Sequence, residues 1–472
     1  MAATLTQQNS FSIITHSKTV FLLLAASPLA AKNSHVTTKW QAKIPMAGQS
    51  SLRATDLNKD GVKDLLIGTG ILSPKGRHCS IQARDGKTGK EIWKRRLPGD
   101  GFATPTLLDI TMDKIPDVFM GGRFSSFKAI NGKDGKVIWD LRRANLNMRW
   151  PSMNFNTAVL IADEDGDKLQ DLLLVQGGSN PDGKVIPSRI YKVSSKSGKI
   201  LKAIKSPDKK EIYSVPTLIP EASKVDLLIG TGGETLGGNL LGMNQKSLKT
   251  HWRWNSGSKG IIGSPLVYFD EAAKKHRALV MSFGGIAAAI DVDQGKELWK
   301  QANPGYESYA SPALLRCSPK DTRVVIHASK GVYPVYKEAK WMMLDINSGQ
   351  TVFEGKLGSF AVASPLIVDW DQDGCEDALF VSNVDNGFGP NISSRVWVIS
   401  GKTGKELYTH NLKGFAAATP VLTDLDGDDS LELGLTHWDH AKVLSTPLKG
   451  KSSGPWQQFR GHQFNGWYGK LK

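Results

Sequence analysis

Three cysteines in 472 residues, Cys79, Cys317 and Cys375, are isolated and odd in number, which excludes a disulfide framework and permits at most one bridge. No apolar run reaches 18 residues, so no transmembrane helix is expected. HExxH and GxSxG are both missing, and DGKT and SGKTG lack the first glycine of a phosphate loop. Histidine is sparse, and the one close pair in an open context is His437 and His440 around Trp438, which ordinary loop polarity explains better than a metal. Spacing alone supports no nucleophile–base pair, so no catalytic residue is named. Acid is in deficit overall, with 45 Asp and Glu against 60 Lys and Arg. Yet DWDQDGCED, 369–377, packs five carboxylates into nine residues.

The N-terminal segment has its own pattern. Lys18 is followed by TVFLLLAASPLAA, 19–31, a short apolar stretch ending in small residues. A positive flank, a short apolar core and small residues read as a secretory signal peptide over residues 1–31. The protein is therefore expected to be exported, periplasmic or extracellular, with its folded part at 32–450 and a tail at 451–472.

The acidic stretch recurs. Its best match is DLNKDGVKD, 56–64, and looser copies are DITMDKIPD, 109–117, DEDGDKLQD, 163–171, and DLDGDDSLE, 424–432. Positions one, three, five and nine are Asp56, Asn58, Asp60 and Asp64; Asp109, Thr111, Asp113 and Asp117; Asp163, Asp165, Asp167 and Asp171; Asp369, Asp371, Asp373 and Asp377; and Asp424, Asp426, Asp428 and Glu432. Alternate positions of a tight loop aim oxygens inward, and calcium takes about six to eight such ligands at about 2.3–2.6 Å. Up to five Ca2+ sites are expected. Loops two and three carry Lys114 and Lys168 where a turn glycine is favoured, and loop two has Thr111, so both should bind more weakly.

A second signature alternates with the first. ARDGKTGKEIW, 83–93, AINGKDGKVIW, 129–139, and AIDVDQGKELW, 289–299, share alanine, glycine and tryptophan at fixed spacing, and four weaker copies accompany them. Each reads as strand, glycine turn, strand. A third marker, such as FATP at 102, GSPL at 263 and ATPV at 418, opens eight units of 47 to 58 residues. Eight repeated units imply a closed repeat architecture. The last unit lacks a fourth strand, and TTKWQAKIPMAG, 37–48, has that character without a unit of its own. The fold class is therefore all-β: an eight-bladed β-propeller of four-stranded blades, its ring closed by the N-terminal strand, leaving no open edge.

The acidic loops resemble the FG-GAP and VCBS repeats of integrin-like propellers, since the closing acid comes at position nine and a β-run follows. The tryptophan units resemble the docking motif of pyrroloquinoline-quinone (PQQ) propellers. Together the resemblance spans about 410 residues. The tail GPWQQFRGHQFNGW, 454–467, resembles a segment flanking such propellers in exported bacterial proteins, and is expected to pack Trp456, Phe459 and Trp467 against the ring.

Strand order puts the acidic loops and glycine turns on one face and the long loops on the other, where binding residues concentrate. Candidates there are Arg142, Arg143, Arg149, Trp150, Tyr306, Tyr309, Tyr333 and Tyr336, with KGVYPVYKEAKW, 330–341, read as a long loop. A basic surface suits a protein or an anionic polysaccharide or other envelope component, including association with a membrane surface; spread lysines argue against specific nucleic-acid binding. The expected function is a non-catalytic, calcium-binding scaffold. The alternative is a PQQ- and calcium-dependent dehydrogenase. PQQ itself is not expected, because the vicinal cysteines often found in those enzymes are missing and the acids are committed to peripheral loops.

Overall fold

The computed structural model describes residues 36–70, 79–123, 126–144, 154–178, 188–220, 224–332, 335–450, 457–461 and 466–471. Residues 1–31, expected above to be a signal peptide, and Trp456 of the tail lie outside them.

The apolar run after each acidic loop forms the second strand of a blade. Asp64–Thr69, Asp171–Gln176 and Asp377–Asn383 are buried along their whole length, as sheets covered on both faces require. The strand carrying the tryptophan alternates exposed and buried residues, as in Glu91–Arg96, because it lies on the outer rim. Eight sheets result, each built on a four-stranded antiparallel meander. In the first blade the strands are Arg53–Thr55, Asp64–Thr69, Ser80–Arg84 and Glu91–Arg96. The eighth has Val421–Thr423, Ser430–His437 and His440–Lys449, and its fourth strand is Thr38–Lys43 from the other end of the described chain, paired antiparallel with His440–Lys449. The ring is closed as the sequence implies.

Two devices knit neighbouring blades. Near the axis, the hydroxyl of five opening markers accepts the backbone N–H of the marker before it. Thr157 Oγ1 takes Thr104 N–H at 2.8 Å, Ser264 Oγ takes Val215 N–H at 3.0 Å, and Ser311, Ser364 and Thr419 continue the series at 2.8 to 3.0 Å. At the rim, tryptophan indoles of one blade donate to a carbonyl in the glycine turn of the next. Trp40 reaches Gly86 O and Trp93 reaches Gly132 O, both at 2.6 Å, while Trp139, Trp252 and Trp299 reach Ser195, Val292 and Ile346 at 2.7 Å. The turn glycine must be glycine there. Gly135 has φ of 69°, and a Cβ on it would stand 2.7 Å from Trp93 Cε3. Between blades three and four the pair changes together. Lys202 replaces the tryptophan, Leu248 replaces the glycine, and Lys202 Nζ donates to Ser247 O at 3.0 Å.

Cys317, on the innermost strand of blade six, is disulfide-bonded to Cys375 in the acidic loop of blade seven, while Cys79 is buried with its thiol donating to Asp100 at 3.7 Å. The stretch read as a long loop in blade six is largely strand. Asp321–Val332 and Val335–Asp345 form an extended hairpin, because β-branched and aromatic residues continue the ladder past the blade edge.

His327, on that hairpin, is 1% exposed, and its Nε2 lies 2.7 Å from Ala363 O of blade seven. Burial holds its pKa down at about 4 against 6.5. The depressed value means that stability is fully present above about pH 6.5 and is lost as pH falls towards 4. The distance between those two values corresponds to about 3 kcal/mol. Urea unfolding between neutral pH and pH 4 should show that loss in the wild type relative to His327→Gln, which keeps a neutral amide at the site.

Candidate metal loops and ligand face

All five acidic loops fold alike. Positions four and six take positive φ in each: Lys59 and Gly61, Met112 and Lys114, Gly166 and Lys168, Gln372 and Gly374, Gly427 and Asp429. Lys114 and Lys168 thus adopt the turn that glycine would take without strain. The first aspartate organises the turn by accepting loop N–H groups; Asp56 accepts from Lys59 and Gly61, and Asp369 from Asp373 and Gly374, at 2.7 to 3.1 Å.

The ninth residue is buried in every copy. One of its oxygens accepts the N–H of the loop's second residue, at 2.8 Å from Leu57 to Asp64 and 2.7 Å from Trp370 to Asp377. In blades one, two, three and seven its other oxygen accepts from the glycine-turn region, as Gly86 N–H does to Asp64 at 3.2 Å and Gly401 N–H to Asp377 at 2.9 Å. This acid is a strut that fixes the acidic loop and the glycine turn on one face, a role that spacing alone does not reveal.

Burial pushes the strut acids up: Asp64 to about 6, Asp377 and Glu432 to about 7, with Asp117 and Asp171 shifted the same way. A nearby dication restores the charge that burial disfavours. Carboxylate oxygens converge to within 4.8 Å in three loops: Asp163, Asp165 and Asp171; Asp369, Asp371 and Asp377; Asp424, Asp426 and Glu432. In the last, Asp426 Oδ1 and Glu432 Oε1 are buried and make no hydrogen bond. These donor sets fit a hard, oxygen-seeking cation. In the first loop, Asn58 Nδ2 donates to Asp60 at 3.2 Å, and in the second the Thr111 hydroxyl donates to Asp117 at 3.1 Å.

One participant has no signature in the sequence. Lys39, on the ring-closing strand, places Nζ 2.5 Å from Asp426, 3.5 Å from Asp428 and 3.9 Å from Glu432. Its hydrogen bond to Asp426 raises its pKa. The ammonium occupies the place of a cation, so Lys39→Met should tighten calcium binding at this loop about tenfold, read by calorimetric titration against wild type.

The opposite face gathers a different set. Tyr309 OH donates to Glu234 at 2.9 Å, Tyr336 OH to Glu307 at 2.7 Å and Tyr213 OH to Glu211 at 3.2 Å. Lys259 Nζ donates to Glu234 O at 2.5 Å and stands 4.0 Å from Glu307. Burial raises all three tyrosines, and neighbouring glutamates add to it. Aromatic rings run from blade five to blade eight: Phe283 meets Tyr309 at 5.0 Å, Tyr336 stacks on Phe360 at 4.4 Å, and Phe388 meets Phe415 at 4.6 Å and Trp438 at 5.7 Å. Tyr309 and Phe360 link the row at 6.2 Å, as do Phe360 and Phe415 at 6.3 Å. Val332, Val335 and Phe388 are exposed at 70%, 56% and 44%.

Of the ligand-face candidates, Tyr309 and Tyr336 come together here, though Tyr336 is wholly buried and acts as a prop. Tyr306 stands apart, donating to Glu338 at 2.6 Å with Lys330 and Lys340 over its ring. Arg142 is exposed on the one-turn α-helix Leu141–Ala144, and only the backbone of Arg143 is described there. Arg149, Trp150 and Tyr333 lie outside the described residues. The glutamates carry no sequence signal, because each comes from a different blade and no local spacing joins them.

Fold and seams define an eight-bladed β-propeller with tryptophan-docked blades. The family model described as outer membrane protein assembly factor BamB matches residues 71–215. No curated protein sequence matches the chain. Among solved structures, the quinohemoprotein alcohol dehydrogenase from Comamonas testosteroni aligns with a TM-score of 0.60 at 10% identity, covering 89% of this chain and 77% of that one. A europium-containing methanol dehydrogenase aligns with a TM-score of 0.60 at 10% identity, covering 87% and 86%. BamB from Moraxella catarrhalis aligns at 0.49 and 12% identity, covering 87% and 98%. At these identities the likeness is one of fold.

Proposed function

We propose that the protein is an exported propeller, stabilised by calcium in its acidic loops, that binds a protein through the long-loop face without catalysis. The loops follow the FG-GAP and VCBS pattern in this reading. The observation that carries the partner is apolar surface on blades six and seven: Val332, Val335 and Phe388 stand in water beside a row of aromatic rings. Such exposure is costly unless a partner covers it. Glutamates at the mouth favour a protein with basic side chains over an anionic polysaccharide. The envelope setting rests on the name of the matching family model; among the described residues no helix is long and apolar enough to cross a membrane.

A PQQ-dependent dehydrogenase is the alternative, and the mouth argues against it. PQQ is a tricarboxylate, and the glutamates of this face, Glu211, Glu234 and Glu307, oppose it, with Lys259 and Arg123 as cations near them. Photo-crosslinkers at Val335 and Phe388 should trap one common partner, and a crosslinker at Val137 on the outer rim should not. Equal capture at all three positions, or turnover of an alcohol after PQQ and calcium are added, overturns the reading.

A further inference from the structure

The C-terminal tail does more than pack on the ring. Leu422 N–H of blade eight donates to Gln457 O at 3.0 Å, and Arg53 Nη1 of blade one donates to Phe459 O at 3.2 Å. Arg460 Nη2 donates to Pro216 O at 2.5 Å and to Thr217 Oγ1 at 3.0 Å, both in blade four. Val267 N–H then donates to Gly466 O at 2.8 Å, and Trp467–Leu471 runs parallel to Leu266–Asp270, the innermost strand of blade five. In a ring of eight, blades eight and one stand opposite four and five. A segment that touches innermost strands on both sides crosses the axial channel.

This crossing brings two guanidinium groups into the channel. Arg53 and Arg460 are 0% and 1% exposed. Arginine stays charged in proteins, so burial cannot be relieved by losing the proton. Arg460 Nε and Nη1 have no hydrogen-bond partner, and among the described residues no carboxylate lies within ion-pair distance of this side chain. The tail has no Asp or Glu from 451 to 472, so it brings no side-chain counter-charge of its own. Gln457 Nε2 is a further buried donor without a partner. Uncompensated buried charge is strongly unfavourable, and donors aimed at nothing compound it.

We propose that the axial channel holds a small anion at Arg460, close to Arg53, with oxoanions such as phosphate, sulfate or a carboxylate favoured. Guanidinium N–H groups match anionic oxygens in geometry and charge. The anion joins the tail to the innermost strands and so helps to hold the segment across the ring.

The test uses the full chain, desalted exhaustively in a zwitterionic buffer and then unfolded, with ion chromatography of what is released. About one equivalent of a single anion per chain is expected, and the chromatogram distinguishes phosphate, sulfate, chloride and organic carboxylates. Arg460→Gln should release none, melt lower than wild type and lose any rise in melting temperature with added phosphate. Without an anion the sign reverses, because removing an uncompensated buried charge relieves the fold. No stoichiometric anion from the wild type, or equal release from Arg460→Gln, overturns the proposal. If Arg460→Gln does not fold, the wild-type measurement still decides, and Arg460→Lys, which keeps the charge but loses the guanidinium fork, supplies the variant, with weaker retention expected and unchanged retention counting against the site.

Discussion

Trp93→Ala should destabilise the protein by about 4 kcal/mol, the order expected for a large aromatic removed from a packed site. The indole is 6% exposed, donates to Gly132 O at 2.6 Å and lies against the face of Gly135. Its removal leaves both a cavity and a carbonyl without its donor between blades one and two. Gly135→Ala should act on the same seam from the other side, because alanine at φ of 69° is strained and its methyl would meet the ring. The seam between blades three and four supplies the control. There Lys202 is half-buried and makes carbonyl contacts in place of indole packing, so Lys202→Ala should cost less than about 1 kcal/mol. Lys202→Trp alone should not stabilise, since Leu248 occupies the place where the indole would lie; together with Leu248→Gly it should. Urea unfolding of the four single variants and the double variant checks the ranking, and equal costs for Trp93→Ala and Lys202→Ala would show that docking does not hold the seams.

The blade count, the strand order and the N-terminal closing strand were all legible because they are written as repeats. Residues spaced within one unit, such as Gly89 and Trp93, carry the pattern themselves, and Trp40 announced its role by having the outer-strand character without a unit. The face assignment was legible too, since strand order alone places the acidic loops beside the glycine turns, and Gly86 N–H to Asp64 is the bond that expresses it. What lay hidden comes from juxtaposition across blades. Lys39 meets Asp426 from 387 residues away, Tyr309 meets Glu234 from 75, and Arg460 meets Thr217 from 243. No window of sequence contains those pairs. The hairpin of blade six reads as a loop because Gly331 and Pro334 punctuate it, whereas the ladder pairs Lys330 with Glu338 and continues to Val332 and Val335.

Chelating calcium should lower stability more than Trp93→Ala does. A ligand bound only by the folded chain adds about 2.7 kcal/mol per site at a hundredfold excess over its dissociation constant, so three converged clusters amount to about 8 kcal/mol. For a chain of this size that shifts the melting temperature by about 8 °C. The loss should be lopsided. Blades four to six carry PEASKVD, FDEAAKKHR and SPKDTR in place of an acidic loop, while blades seven, eight, one, two and three form one unbroken arc of acidic loops. Hydrogen exchange after chelation should therefore accelerate in that arc and stay slow in blades four to six. Within the arc, Asp373→Ala should cost more than Asp113→Ala. Asp373 closes a loop whose partners Asp369, Asp371 and Asp377 converge, whereas in the second loop Thr111 already spends its hydroxyl on Asp117. Calorimetry with chelator against a matched magnesium and ionic-strength control measures both effects. An unchanged melting curve would leave the buried oxygens of Asp426 and Glu432 without a cation, and Lys39 as their permanent counter-charge.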